Sequence, residues 1–309
     1  MSALRQALAD YLVLRRALGY RLVRSEKLLK QFIDHLEASG DSTITVRCAL
    51  SWARLPTNVG MNWWAHRLSA VRGFAAHLHA IDPCTEVPPK DLLPSRPGRA
   101  NPYLYSEEEI DALLTATASL KTPQRQVTFK TLIGLLAVTG MRIGEAIRLN
   151  LDDVEFTNGS LLVRCSKYGK SRELMLHPTT LRALADYVRL RSDQSHPGAG
   201  TPAMFTSSVG TRLLYCNVHW TFQRLLHQVG STARSRACRP RIHDLRHSFA
   251  VRSMLDAYTS GADGQKTLTL LSTYLGHANP AATYWYLSAS PELLAAAGQR
   301  LERYLGGPQ

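Results

Sequence analysis

The stretch HDLRHSFAVR, residues 243 to 252, holds His243, Arg246 and His247 within five positions. On a helix, His243 and His247 lie on one face, as paired zinc ligands often do. A permanent guanidinium at Arg246 would lie unfavourably close to such a cation, whereas its fork of donors suits a phosphate. The stretch therefore favours a phosphate site over a zinc site.

An ordinary amphipathic helix is the remaining alternative for this stretch. His243 and Arg246 are three residues apart and share a helical face, while Leu245 and Phe249 point elsewhere. On this interpretation the helix has a polar side and a packing side, and its polar residues are satisfied at the surface. Matching residues elsewhere in the chain must decide between the two.

The charge balance indicates a polyanionic partner. The chain of 309 residues has 37 Lys plus Arg against 24 Asp plus Glu, a net charge of +13 and a sequence pI of about 9.8. Nucleic acid is the first candidate and an anionic membrane surface the second. No stretch approaches ~18 consecutive apolar residues, and charges interrupt the N-terminus, so we expect a cytoplasmic protein on DNA and no membrane association. The five cysteines include no C-x-x-C pair, which disfavours a zinc ribbon.

The first 80 residues predict a small, basic helical bundle. Their eleven Lys or Arg against five acids favour contact with a DNA backbone, although a solvated helix face is the alternative. Apolar residues recur at the helical period in three runs: Leu4, Ala7, Tyr11, Leu14 and Leu18; Leu28, Phe32 and Leu36; Trp64, Leu68, Val71, Ala75 and Leu78.

A proline-rich, basic stretch from Ile81 to Pro102 indicates a linker. We therefore predict a helical DNA-binding domain over residues 1–84, a linker over 85–100 and a second domain over 101–309. In YSEEEIDALL, Ser106 and Glu109 form a capping box that starts the first helix of the second domain.

The second domain is predicted to be mainly helical with a small β-sheet, an α+β fold. An apolar helix runs over 127–138 and ends at Gly140, and another follows over 144–149. The segment GSLLVRCSKYGKSRELMLH predicts a hairpin, with apolar runs at 161–165 and 173–176 around a basic turn. We expect a surface loop over 259–266.

Other basic and phenolic residues stand at comparable points of the chain. Arg142 follows Gly140 between two predicted helices, where N–H groups of a helix start add donors for an anion. Lys167 lies in the hairpin turn. His277 follows Gly276, and Tyr286 comes nine residues after His277.

Together these motifs resemble the tyrosine site-specific recombinases of the phage-integrase family, over essentially the whole chain. The family motifs are T-G-x-R-x-x-E, a lysine in a β-turn, H-x-x-R, L-G-H and a tyrosine nine residues later. This chain has them in order, at Thr139 to Glu145, Lys167, His243 to Arg246, Leu275 to His277, and Tyr286. The resemblance is closest to integrases of transposons, plasmids and other mobile elements, and it implies a helical core-binding (SAM-like) domain linked to a catalytic domain, forming a clamp around DNA.

The resemblance also implies the chemistry. Tyr286 would attack the scissile phosphate to form a 3′-phosphotyrosyl link, without ATP, metal or other cofactor. Arg142 and Arg246 would clamp the phosphoryl oxygens, and His277 would donate a further hydrogen bond. His243 would be the general acid or base beside the tyrosine.

Lys167 would protonate the leaving 5′ oxygen, and its rival Lys170 is disfavoured by the spacing to Arg172. For the nucleophile, only the family spacing selects Tyr286 over Tyr284 and Tyr274, whose simpler interpretation is an aromatic core patch.

The expected partner is a double-stranded DNA recombination site, bound by a homo-oligomer, a dimer on one site and a tetramer in the synapse. A second recombinase or accessory protein can be needed. A last helix from Ser290 packs on its own domain or docks on a neighbouring subunit. The expected reaction is DNA integration, excision or transposition. The alternatives are a catalytically silent DNA-binding regulator, a metal-dependent nuclease and a type IB topoisomerase.

Overall fold

A computed structural model provides the structure of the chain. It describes residues 2–93, 101–164, 169, 171–193, 202–235, 238–277, 293–295, 298–299 and 302, with the side chains of 192 and 193 excepted. The chain divides into two compact units, Met1–Arg99 and Ala100–Gln309. Lys167, Lys170, Tyr284 and Tyr286 lie outside the described residues, as does most of the helix predicted from Ser290.

The first unit is a helical bundle, as predicted, with four described helices, of which the three apolar runs covered all but α3. Its helices are α1 (Ala3–Ala17), α2 (Val23–Ser39), α3 (Val46–Arg54) and α4 (Met61–His79). Hydroxyl side chains start two of them, because Ser2 accepts from the backbone N–H of Arg5 and Thr45 from that of Cys48. The core of this unit contains Leu29, Phe32, Trp52, Leu68 and Phe74.

One predicted face of this bundle is wrong in part. Leu14 and Leu18 were expected on the packed side of α1, yet they are 47% and 62% exposed. The buried residues of α1 are Leu8, Tyr11 and Leu12. The packed stripe is rotated by about one position, and α1 ends at Ala17, so that Leu18 is its C-cap.

The described part of the predicted linker, residues 85–93, packs against the first unit. Arg72 donates from Nε to the carbonyl of Pro88 and from Nη2 to that of Pro89, both at 2.8 Å. Leu93 is buried in the core of the bundle. Residues 88 and 89 lie outside helices and strands, so their carbonyls accept from a side chain instead of from a backbone ladder.

The second unit contains the remaining described helices. They are α5 (Glu107–Ala116), α6 (Pro123–Thr139), α7 (Ile143–Arg148), α8 (Pro178–Asp193), α9 (Tyr215–Gln228), α10 (Asp244–Thr259) and α11 (Gly264–Leu275). The capping box of Ser106 and Glu109 is confirmed at the start of α5, and α6 ends at Gly140 as predicted. No described helix is long and apolar enough to span a bilayer.

The predicted hairpin is confirmed, and it belongs to a small antiparallel sheet. Strand β2 (Ser160–Val163) pairs with β3 (Arg172–Met175), with Leu161 opposite Leu174. A further strand that the sequence pattern did not predict, β1 (Val154–Glu155), pairs with β2 on the other side.

The predicted loop over 259–266 is shorter than expected. Helix α10 continues to Thr259 and α11 begins at Gly264. Asp263 starts α11 because its carboxylate accepts from the backbone N–H groups of Gln265 and Lys266. Cores on both sides of α10 hold it in place: Leu245 belongs to the main core of the unit, and Val251 and Met254 to a smaller one with Leu271 and Leu275.

Candidate active site

The first three residues of α10 are buried, although the residue that precedes them is exposed. His243 is its N-cap, and Asp244, Leu245 and Arg246 are 0%, 1% and 2% exposed. The expectation of a polar side and a packing side is therefore wrong here, because the acid and the arginine are buried with the leucine. Buried charges persist only when they are paired or hydrogen-bonded, and Asp244 indeed binds the guanidinium of Arg241.

Arg246 joins three segments that are far apart in the chain. Its Nη1 donates to the carbonyl of Gly140 at 2.9 Å, at the end of α6. Its Nη2 donates to the carbonyl of Leu275 at 2.6 Å and lies 2.9 Å from Nε2 of His277. The guanidinium thus holds the T-G-x-R and L-G-H motifs against the H-x-x-R motif.

Three arginines donate to consecutive carbonyls at the end of α11. Arg172 Nε reaches the carbonyl of Tyr274 at 2.7 Å, Arg246 that of Leu275, and Arg142 Nη2 that of Gly276 at 3.5 Å. The last carbonyls of a helix lack helical partners and carry the negative end of its dipole. The end of α11 therefore gathers these cations in one place.

Glu145 provides the counter-charge between two of these arginines. Its side chain is 1% exposed, and its oxygens lie 2.8 Å from Nη1 of Arg142 and 2.9 Å from Nη2 of Arg172. It also accepts from the backbone N–H of Arg142 at 2.9 Å, at the start of α7. One carboxylate thus orients the side chain and the backbone of Arg142.

The histidines of the site are held in their neutral form. Burial, then the charges of Arg246 and Arg142, lower the pKa of His277 to about 4. Burial followed by the charge of Arg246 also lowers the pKa of His243 to about 4, although this residue keeps an exposed surface where solvent screens the charge. Burial lowers the pKa of His247 to about 3. A neutral ring at His277 fits the contact with Arg246, because its Nε2 can then accept an N–H.

His247 has a supporting position. Its ring meets that of His243 edge to face at 5.2 Å, and its Nε2 lies 3.8 Å from Oδ1 of Asp244. Among the described residues there is no group of three or more His, Cys, Asp or Glu side chains arranged to hold a metal ion.

The structure thus brings together four of the six predicted site residues: Arg142, His243, Arg246 and His277. Lys167 and Tyr286 lie outside the described residues. Sequence analysis assigned no role to Glu145, which it quoted only as a motif letter, nor to Arg172, which it used only to align the turn. The signal available for Glu145 was its place as the glutamate of the T-G-x-R-x-x-E motif, three residues after Arg142.

Comparisons with known proteins identify relatives of this chain. Residues 104–292 match the model of the phage integrase family. A provisionally named integrase/recombinase of Sinorhizobium fredii (strain NBRC 101917 / NGR234), y4rB, is 42% identical over 308 residues, which cover 98% of each chain. Tyrosine recombinase XerC of Roseiflexus sp. (strain RS-1) is 31% identical over 225 residues, 72% of this chain and 66% of that one.

Among solved structures, the Tn1549 transposon integrase in complex with a circular intermediate DNA shares the fold. The TM-score is 0.64 at 16% identity, over 97% of this chain and 100% of that one. The family model spans more than half of this chain, and y4rB matches nearly all of it. The chain therefore belongs to the phage integrase family and is a tyrosine recombinase, an enzyme of DNA strand cleavage and religation.

Proposed function

We propose that this chain is a site-specific recombinase of a mobile element that cleaves and rejoins DNA through a 3′-phosphotyrosyl intermediate. The observation that carries the proposal is the convergence of Arg142, Arg246 and His277 at the end of α11, with His243 at the start of α10. A cluster of cations and neutral imidazoles is complementary to a phosphodiester and its transition state.

In the proposed reaction, Arg142 and Arg246 bind the non-bridging oxygens of the scissile phosphate. The side chain of Arg142 is 24% exposed, so it can receive a phosphate while keeping its contact with Glu145. Arg246 is 2% exposed, so a phosphate reaches its guanidinium only if the side chains packed over it shift on DNA binding. His277 donates a further hydrogen bond to the phosphate.

The proposed proton transfers use one base and one acid. The phenol oxygen of Tyr286 bonds to phosphorus, the bond from phosphorus to the 5′ oxygen breaks, and that oxygen takes a proton from Lys167. His243, neutral in the free protein, accepts the phenol proton. An anionic phosphate beside Arg142 and Arg246 offsets their charge, and this raises the pKa of His243 toward a value useful for a base.

Rejoining is the reverse reaction with another strand. A 5′-hydroxyl attacks the phosphotyrosyl bond, His243 returns the proton to Tyr286, and Lys167 accepts the proton of the hydroxyl. The phosphotyrosyl link conserves the bond energy, so neither ATP nor another cofactor takes part in the proposed scheme.

The first unit is proposed to bind the DNA backbone beside the catalytic domain. Not all its basic residues are available for this role: Arg16 and Lys30 pair with Glu26, and Arg67 is buried. The exposed basic residues near the start of α2 and on α3 are the proposed contacts: Arg21, Arg24, Lys27, Arg47 and Arg54.

The proposed assembly is a homo-oligomer, a dimer on one site and a tetramer in the synapse, with or without a second recombinase. The linkage to a mobile element is supported by the likeness to integrases and rests on that alone.

The test is covalent trapping on nicked duplexes drawn from the DNA that flanks the gene, in buffer with EDTA. The wild-type chain is expected to form a 3′ adduct, and Tyr286→Phe to form none while it retains DNA affinity. Tyr284→Phe is the matched control, because it removes a neighbouring phenol and should leave the adduct intact. Adduct formation by Tyr286→Phe would exclude this nucleophile, and relaxation of supercoiled DNA without a preferred site would favour a topoisomerase.

A further inference from the structure

Arg172 is fully engaged inside the protein. It is the first residue of β3, and its side chain is 12% exposed. Its Nε donates to the carbonyl of Tyr274 at 2.7 Å, and its Nη1 and Nη2 donate to the two oxygens of Glu145 at 3.2 and 2.9 Å. Each nitrogen of the guanidinium therefore has an acceptor within the fold.

The close approach of Arg172 to the turn after α11 depends on Gly276. This residue has φ +68, and a Cβ added there would lie 3.1 Å from Nη1 of Arg172. Glycine meets both demands, since it tolerates the left-handed conformation and leaves room for the guanidinium. His277 follows directly, so the arginine packs against the turn that carries a proposed catalytic histidine.

Arg172 and Arg142 have binding partners in common but differ in how much of the side chain is exposed. Both bind Glu145, and both donate to carbonyls at the end of α11. Arg142 is about twice as exposed as Arg172, 24% against 12% of the side chain. Exposure alone does not assign the role, because Arg246 is 2% exposed. Arg172 is marked as a residue that holds the frame because all three of its nitrogens donate to acceptors within the fold.

We propose that Arg172 is a positioning residue, which ties β3 and the end of α11 to Glu145 and so fixes His277 and Arg142 around the scissile phosphate. It touches no reacting atom. This inference rests on the proposed function, because it concerns the placement of proposed catalytic residues. The placement of His277 can nevertheless be tested in the protein without DNA.

The planar fork of arginine is the property that this role needs. A lysine keeps the charge, but its single ammonium cannot bridge both oxygens of Glu145 and also reach the carbonyl of Tyr274. Arg172→Lys therefore removes the geometry and retains the electrostatic attraction for DNA. Misplacement of a catalytic group by ~1 Å can slow a reaction about 100-fold.

The matched control is Arg212→Lys. Arg212 lies partly buried in the same unit and likewise donates to backbone carbonyls at the end of a helix, those of Ile147 and Leu149, and to Oδ1 of Asn150. None of these three acceptors belongs to α11. A general loss of packing would affect both variants alike.

The first measurement is the single-turnover rate of adduct formation on a nicked duplex that the wild type cleaves, together with the affinity for that duplex. For Arg172→Lys we expect a rate about 10- to 100-fold lower and an affinity within about twofold, since the charge is unchanged. For Arg212→Lys both quantities should stay within about twofold. Equal rates for Arg172→Lys and the wild type would overturn the inference.

The second measurement needs no cleavage. In the DNA-free protein, NMR titration of the His277 imidazole should show the pKa of Arg172→Lys closer to 6.5 than that of the wild type, because a loosened turn admits water to the ring. The charged groups that act on this ring are Arg246, Arg142, Arg172 and His243, and Arg172→Lys keeps a positive charge at position 172. Arg212→Lys should leave the His277 titration unchanged.

The two measurements separate the two proposals. If the wild type forms no adduct on any duplex, the proposed function fails, and the His277 titration alone decides the inference: an unchanged pKa in Arg172→Lys refutes it. If Arg172→Lys does not fold, Arg172→Gln replaces it in the rate measurement, with Arg212→Gln as its control, and an unchanged rate refutes the inference. Because the charge of Arg172 itself lowers the pKa of His277, the titration of Arg172→Gln is used in one direction only: an unchanged pKa refutes the inference.

Discussion

Gly140→Ala should destabilise the catalytic unit more than its backbone conformation alone explains. Gly140 ends α6 with φ +58, and a Cβ added there would lie 2.4 Å from Cδ1 and 2.9 Å from Cγ of Phe249. Phe249 cannot easily withdraw, because its ring stacks on that of Tyr274 at 5.7 Å. The carbonyl of Gly140 also accepts from Arg246, so the strain falls on a contact of the proposed active site.

Two contributions set the size of the destabilisation by Gly140→Ala. A left-handed residue with a Cβ costs ~1–2 kcal/mol, and forcing an extra carbon into a packed core costs ~1–3 kcal/mol. We therefore expect the free energy of unfolding to fall by ~2–5 kcal/mol. The rate of adduct formation should fall as well, since α10 carries Arg246 and Phe249 together.

Urea unfolding followed by circular dichroism measures this loss of stability, and two further variants separate the backbone strain from the steric clash. Gly261→Ala has the same kind of backbone strain, at φ +77, with nothing within 4 Å of the added Cβ, so it should cost only ~1–2 kcal/mol. The double variant Gly140→Ala/Phe249→Leu relieves the clash and should recover part of the loss. Equal destabilisation by Gly140→Ala and Gly261→Ala would refute the packing argument.

Three further predictions concern stability. The folded pKa of His277 lies below its ordinary 6.5, so its contribution to stability is present above pH 6.5 and is lost as pH falls toward about 4. The pKa values of His243 and His247 are lowered as well, so urea titrations should show a loss that is smaller by ~2–3 kcal/mol in His277→Gln than in the wild type; equal losses would contradict this. Arg67 Nη2 donates to the carbonyl of Trp52 at 2.9 Å at the end of α3, and its guanidinium lies 3.7 Å from the Trp52 ring centroid. Arg67→Ala should therefore destabilise the first unit by ~2–3 kcal/mol. A melting temperature equal to that of the wild type would contradict this. Ser106→Ala removes the capping box of α5 and should cost ~1 kcal/mol by the same unfolding assay, whereas Ser106→Asp should cost little.

The features that sequence analysis predicted correctly depend on nearby residues. The capping box joins Ser106 to Glu109, the glycine at 140 ends its own helix, and the hairpin pairs residues 160–163 with 172–175. Such signals span few residues, so the pattern of the chain contains them. The predicted face of α1 was wrong in part, because which stripe of a short helix is buried depends on the helices packed against it.

The burial of charge could not be predicted in the same way. The helical pattern placed Arg246 on the polar side of a helix, facing a phosphate, yet the residue is buried and its carbonyl partners are 106 and 29 residues away in the chain. Glu145 lies between Arg142 and Arg172, which is 27 residues further on. A buried ion is tolerable only if such partners exist, and spacing along the chain does not show them.

The sequence by itself determined the helical class, the small hairpin and the family, since the ordered motifs around Arg142, Arg246 and His277 identify it without coordinates. Only the tertiary structure decided that three arginines meet on successive carbonyls of α11 and that Glu145 and Arg172 complete the cluster. The physical reason is that motifs record which side chains a reaction needs, whereas the protonation and orientation of those side chains depend on neighbours brought together by folding.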